Sequence, residues 1–121
     1  MSWFSTTKST ELFPWIELST MNQLAQLLAS SSETPVLFFK HSTRCSISDM
    51  AKRRFEKNWN KETACTLVYL DLIAHRDISN ALAQELHVTH QSPQVIVVKN
   101  GLVIHHASHN GIDALSILET L

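Results

Sequence analysis

The chain reads as one α/β domain with a mixed central sheet flanked by helices. Residues 35–39 and 66–72 are short, continuously apolar runs of the kind that form strands covered on both faces, and a helical period lies between them. Farther on, Asn100-Gly101 between two β-rich stretches marks a hairpin, which adds antiparallel pairing to a sheet otherwise linked by helical crossovers. A length of 121 residues suits a single core.

Taken in order, residues 1–13 are polar and rich in Ser and Thr around Trp3-Phe4, and are expected to form a flexible tail ahead of a domain spanning 14–121. The first dozen residues lack the basic start and apolar run of a secretory leader, and no stretch approaches membrane-spanning length. A cytoplasmic protein with no membrane partner is expected. Pro14 to Leu18 suggests an edge strand. Thr20 with Gln23 forms a capping-box start for a helix that uses Met21, Leu24, Ala25, Leu27 and Leu28. Ile47, Met50, Ala51, Phe55 and Trp59 recur at helical spacing opposite Lys52, Arg53, Glu56 and Lys57, so this helix starts at or beside Cys45. Asp77 is the expected N-cap of another helix burying Ile78, Ala81, Leu82 and Leu86. Val95 to Val98 and Leu102 to Ala107 are the hairpin strands. Ile112, Leu115, Ile117, Leu118 and Leu121 supply a final amphipathic helix after the Asn110-Gly111 turn. With right-handed crossovers, the order βαβαβ, α, ββα places helices on both faces and resembles thioredoxin.

Charge and cysteine content narrow the function. Ten basic against eleven acidic residues leave no broad positive surface for a phosphate backbone, which argues against nucleic-acid binding. Two cysteines are too few for a disulfide scaffold, and a reducing compartment would keep both as thiols.

The candidate chemistry lies in His41-Ser42-Thr43-Arg44-Cys45-Ser46-Ile47-Ser48, between a buried strand and a helix start. Unpaired backbone N–H groups, the positive end of the helix dipole and the Arg44 charge stabilise a thiolate there, making Cys45 the expected nucleophile. In a dithiol Cys-x-x-Cys motif the second sulfur releases the product; here that position is Ser48, whose hydroxyl cannot resolve a disulfide. Cys45 can still attack a disulfide and take up one of its thiols, after which a small thiol from solution must regenerate it. Ser48 is equally compatible with tuning the thiolate and with an ordinary backbone hydrogen bond in the first helical turn. His41 is equally open to a thiolate-tuning role and to none. Cys65, without a basic flank or helix start, is read as a buried structural thiol. Ser92-Pro93, just before the hairpin, stands where thioredoxin-like folds carry a cis proline. The Ser92 backbone would then receive an extended substrate as an added strand. Thr43, Ser92 and Pro93 are accordingly assigned to substrate binding.

Three separated motifs deepen the likeness: Phe39 to Ser48, Tyr69 to Asn80, and His90-Gln91-Ser92-Pro93-Gln94. Together they resemble the monothiol bacilliredoxins over about residues 15 to 119. The resemblance implies a protein that removes bacillithiol from S-thiolated client proteins, with Cys45 as nucleophile, the small thiol as co-substrate and no tightly bound cofactor. Two positions depart from the family pattern. Ser46 stands where Pro commonly follows the nucleophile, and Gln91 replaces an acidic residue. Both bear on rate and on thiol preference.

Other residues are read conservatively. His105, His106 and His109 match no structural zinc spacing and are taken as solvated surface histidines, so no metal is assigned. Asp71 is given a loop or cap role, and Lys40 is read as a solvated strand-end lysine. Two competing classes remain: a non-catalytic client-binding or scaffolding module, and an iron–sulfur carrier. Cluster-carrying monothiol glutaredoxins have Gly and Phe after the cysteine, where this chain has Ser46 and Ile47.

Overall fold

A computed structural model describes residues 13–121. Trp3 and Phe4, with most of the expected tail, lie outside the described residues. Phe13, the last residue of that stretch, is half-buried, and its ring lies 5.1 Å from Trp15 and 6.3 Å from Phe55.

In chain order the elements are β1 (Ile16–Glu17), α1 (Met21–Ser30), β2 (Val36–His41), α2 (Ser46–Asn58) and β3 (Thr66–Asp71). They continue with α3 (Arg76–Leu86), β4 (Gln94–Lys99), β5 (Leu102–Ser108), a 3-10 turn (His109–Gly111) and α4 (Ala114–Thr120). The five strands form one sheet in the order β1-β3-β2-β4-β5. Strands β1, β3 and β2 are parallel, while β4 runs antiparallel to β2 and β5 antiparallel to β4. This is the expected mixed α/β sheet.

Alternation along β2 sorts its side chains into two cores. Val36 and Phe38 join Leu24, Ile78, Leu82, Ile96 and Val98 in one layer, while Leu37 and Phe39 join Ala51, Phe55, Trp59, Val95, Val97 and Ile117 in the other. Helices α1 and α3 pack together over the first layer, and α2 and α4 cover the second. Both faces of β2 and β4 are thereby dry, which explains their unbroken apolar composition.

Local signals account for the ends of the elements. Thr20 accepts from Gln23 N at 3.1 Å, while the Gln23 side chain reaches back to Ser19 N at 2.9 Å, one residue before the usual capping-box partner. Asn100 and Gly101 have φ of 53° and 74°, left-handed at both central positions, as a two-residue hairpin loop with the right twist requires. Helix α3 departs from expectation at its start. His75 occupies the N-cap and Asp77 lies inside the first turn, because Asp71 holds the preceding bend by accepting from Ile73 N and Ala74 N.

Several residues expected on buried helical faces are exposed. Ile47 and Met50 are 61% and 64% exposed, and Met21, Ala25 and Leu115 also face solvent. In α2 the spacing is right, with Ala51, Phe55 and Trp59 buried one turn after another.

Phe55 is 1% exposed and contacts the rings of Phe39, Trp15 and Trp59 at 5.1–5.7 Å. Phe55→Ala is expected to remove about 3–5 kcal/mol of stability, read as a lower urea midpoint; a loss below about 1 kcal/mol would mean that the aromatic layer repacks.

Candidate active site

Strand β2 ends at His41, and a three-residue loop leads to Cys45 at the N-cap of α2. Cys45 is extended (φ −113°, ψ 119°); its carbonyl accepts from Asp49 N at 3.0 Å and its N–H donates to Ser42 O at 3.1 Å. The half-buried side chain makes no capping hydrogen bond, so the sulfur sits at the positive end of a 13-residue helix. Thr43 and Arg44 are exposed in the loop, and Arg44 forms no salt bridge among the described residues.

Ser48 takes the backbone-bonding alternative, with its partner in the motif loop. It is fully buried; its Oγ accepts from Ser42 N at 3.1 Å and lies 2.7 Å from His41 Nδ1. Among the described residues no hydrogen bond joins it to Cys45. Burial, reinforced by the Lys52 charge, lowers the His41 pKa against the opposing pull of Asp49, Asp71 and Glu56. In neutral His41, Nδ1 accepts the Ser48 proton while Ser48 Oγ accepts the Ser42 N–H. Ser48 is therefore a brace that closes the motif loop onto the end of β2.

Beneath this brace lies a group that sequence reading missed. The His41 ring is 5.6 Å from Tyr69; Lys52 Nζ lies 5.3 Å from the Tyr69 ring and 2.7 Å from Glu56, and Glu56 also accepts from Trp15 Nε1 at 2.6 Å. The spacing of Lys52 and Glu56 placed both on a solvated helix face. Their partners are Trp15, just before β1, and Tyr69 of β3, both far away in sequence.

Ser92 and Pro93 are joined by a cis peptide and directly precede β4, whose Gln94 pairs with Lys40 of β2. They therefore lie at the same end of the sheet as the loop to Cys45. Pro93 O accepts from His109 N at 3.0 Å. Beside the start of α2, Ile47, Met50, Ala51, Arg54, His109 and Asn110 line a shallow cavity of about 380 Å³.

Two further assignments change, those of Lys40 and His105. Lys40 is not solvated: it is fully buried, its Nζ donates to Ser79 O at 3.3 Å and lies 3.2 Å from His90 Nδ1, and burial lowers it to about 8. His105 is half-buried, with Nε2 lacking a partner, whereas His106 and His109 are exposed. Cys65 is half-buried against the α2/α4 layer, and burial pushes its thiol up to about 12. It precedes Thr66, which pairs with Val36 at the opposite end of β2 from the Cys45 loop. A six-residue strand spans roughly 20 Å, well beyond the ~7 Å Cα separation that a disulfide tolerates. Among the described residues, no group of three or more His, Cys, Asp or Glu side chains is arranged to hold a metal ion, and no helix is long and apolar enough to cross a membrane.

A mixed sheet sandwiched by helices, with a lone half-exposed cysteine at the start of a helix beside a proline loop, defines a thioredoxin-fold thiol oxidoreductase. A solved thioredoxin-fold structure with a provisional oxidoreductase assignment superposes with a TM-score of 0.77 at 30% identity, covering 88% of this chain and 93% of that one. Thioredoxin from Trypanosoma brucei brucei (TM-score 0.69, 14% identity, 90% and 89% coverage) and from Malassezia sympodialis (0.65, 19%, 89% and 90%) share the fold. Residues 16–117 match the family of monothiol bacilliredoxin BrxC, and the chain belongs to that family.

Two outcomes are expected. Iodoacetamide at pH 8 should add one label to the folded protein, at Cys45, and two after denaturation; a label on Cys65 in the folded state would contradict its burial. His41, His90 and His105 all have lowered pKa values. The unfolded chain therefore binds protons that the folded one refuses, and stability should fall as the pH drops below about 6.5. His41→Asn should flatten part of that slope in urea titrations between about pH 5 and 7.5; an unchanged slope would show that His41 does not contribute.

Proposed function

We propose that this protein is a monothiol disulfide oxidoreductase that removes a low-molecular-weight thiol from mixed disulfides on client proteins. The family relationship makes bacillithiol the favoured small thiol. The observation that carries the reading is the isolation of Cys45. The hydroxyl at the resolving position is spent on His41 and Ser42, and Cys65 lies at the far end of the sheet.

The reaction proceeds in two exchanges. Cys45 thiolate attacks the small-thiol sulfur of the client disulfide; a new Cys45–small-thiol disulfide forms, and the client sulfur leaves as thiolate. A second small-thiol anion then attacks that adduct, forming a free small-molecule disulfide and restoring Cys45 thiolate. Sulfur oxidation states balance without a cofactor. A cytoplasm that keeps its small thiols reduced would supply the second step.

The surroundings support a protein substrate. Thr43 and Arg44 before Cys45 are open to solvent, Ile47 and Met50 after it present apolar surface, and the Ser92 backbone lies at the same sheet end to receive an extended segment. Arg44 adds positive charge beside the thiolate. His41 acts through the brace, keeping the motif loop closed.

The test offers a client mixed disulfide to the wild-type protein without external reductant. Intact mass should show one small-thiol adduct per chain on Cys45, cleared by adding free thiol. Cys45→Ser should abolish transfer, whereas Cys65→Ser should leave turnover near wild type. A Cys45–Cys65 disulfide together with stalled Cys65→Ser would overturn the monothiol reading, and client binding without transfer would identify a scaffold.

A further inference from the structure

Lys40 and Gln94 are paired across β2 and β4 and project into the face covered by α1 and α3. Both are buried polar side chains beside an apolar layer. Their polar ends converge on one short segment. Gln94 Nε2 donates to Thr89 O at 3.0 Å, and its Oε1 accepts from Gln91 N at 3.3 Å. Between these two residues, His90 Nδ1 lies 3.2 Å from Lys40 Nζ and 3.3 Å from Ser79 Oγ. An ammonium can only donate, so His90 Nδ1 is the acceptor and the ring proton sits on Nε2. Lys40 also donates to Ser79 O, tying α3 into the same cluster. Among the described residues the ammonium forms no salt bridge. Burying an unpaired charge costs stability that an apolar side chain of similar size would not.

We propose that Lys40 and Gln94 are positioning residues: they hold residues 89–91 so that the adjoining Ser92 backbone stays in register to receive an extended client segment beside Cys45. The segment carries an anchor at each residue, and all three come from buried side chains on the sheet or on α3. A shift of the loop toward solvent breaks them together. What the loop binds rests on the function proposed above; how it is held rests on the hydrogen bonds alone. The charged groups that face His90 are Lys40 of β2 and Arg76 of α3, and both oppose a positive charge on its ring. Protonating His90 would set two cations 3.2 Å apart and open the clamp.

The test compares wild type with Lys40→Met, Gln94→Leu and His90→Ala by amide hydrogen exchange at residues 89–92, by KM and kcat for a client mixed disulfide, and by alkylation of Cys45. Each substitution should speed exchange in this segment and raise KM about tenfold, the effect of losing one well-placed hydrogen bond to charge. Alkylation of Cys45 and kcat should not change. Lys40→Arg should restore part of the protection, and Lys40→Met combined with His90→Ala should add nothing to either alone. Unchanged exchange and KM in folded Lys40→Met would overturn the proposal. So would a fall in Cys45 alkylation matching the fall in transfer, since the lysine would then act on the sulfur. His90 is exposed, so His90→Ala decides the matter if Lys40→Met does not fold. A wild-type protein that transfers no thiol would refute the proposed function, while exchange at residues 89–92 would still decide the positioning role.

Discussion

Burial of β2 on both faces is the constraint on which the other features depend. A strand in that position must alternate its side chains between two dry layers, and the alternation continues into the polar residues at its end. Lys40 therefore enters the layer under α1 and α3, while His41 enters the one under α2. Neither can reach solvent by a small adjustment, so each must find partners where it lies. Lys40 finds the Ser79 carbonyl and His90, and His41 finds Ser48. Two polar clusters on opposite faces of one strand thus shape the two segments that meet at the thiol.

The cluster on the α2 side explains how a motif loop without proline after the cysteine keeps its form. Ser46 allows more backbone freedom than a proline would. The loop is closed instead from the next turn, where Ser48 binds Ser42 N and His41 at once. A hydroxyl with both its donor and its acceptor committed is a structural element. Its presence at the position of a second sulfur is consistent with chemistry confined to Cys45 and a thiol from outside.

On the other face the anchoring side chains Lys40, Ser79 and Gln94 are buried, where each hydrogen bond is stronger and each unsatisfied group costs more, while the 89–91 segment they hold is exposed. Lys40, Ser79 and His90 satisfy one another across as many as 50 residues, and Gln94 binds the backbone of Thr89 and Gln91 on either side of His90. Such an arrangement favours one geometry for the 89–91 segment over looser alternatives. An apolar substitute at Lys40 would remove the cost of burial and the anchor together.

The parts of this protein legible in its sequence are those encoded by neighbours in the chain. Cys45 could be recognised because a strand end, a polar loop and a helix start are contiguous, and the Asn100-Gly101 hairpin because only left-handed positions close that turn. Element order followed from the change between apolar runs and helical spacing. What the sequence left open depended on contacts made across the sheet. Lys40 carries a charge and ends an apolar run, which argues for exposure until α3 and the His90 segment are placed over it. Ile47 lies on the buried face of α2 by periodicity, yet it is exposed while its neighbour Ser48 is sealed against His41. Ser48 acquired its partners only when the motif loop folded back against the end of β2, and Cys65 its distance from the reaction only when β2 and β3 paired in register. Local propensity determines what a segment becomes, whereas the register and layering of the sheet decide which of its polar groups are sealed from water and what they must bind there.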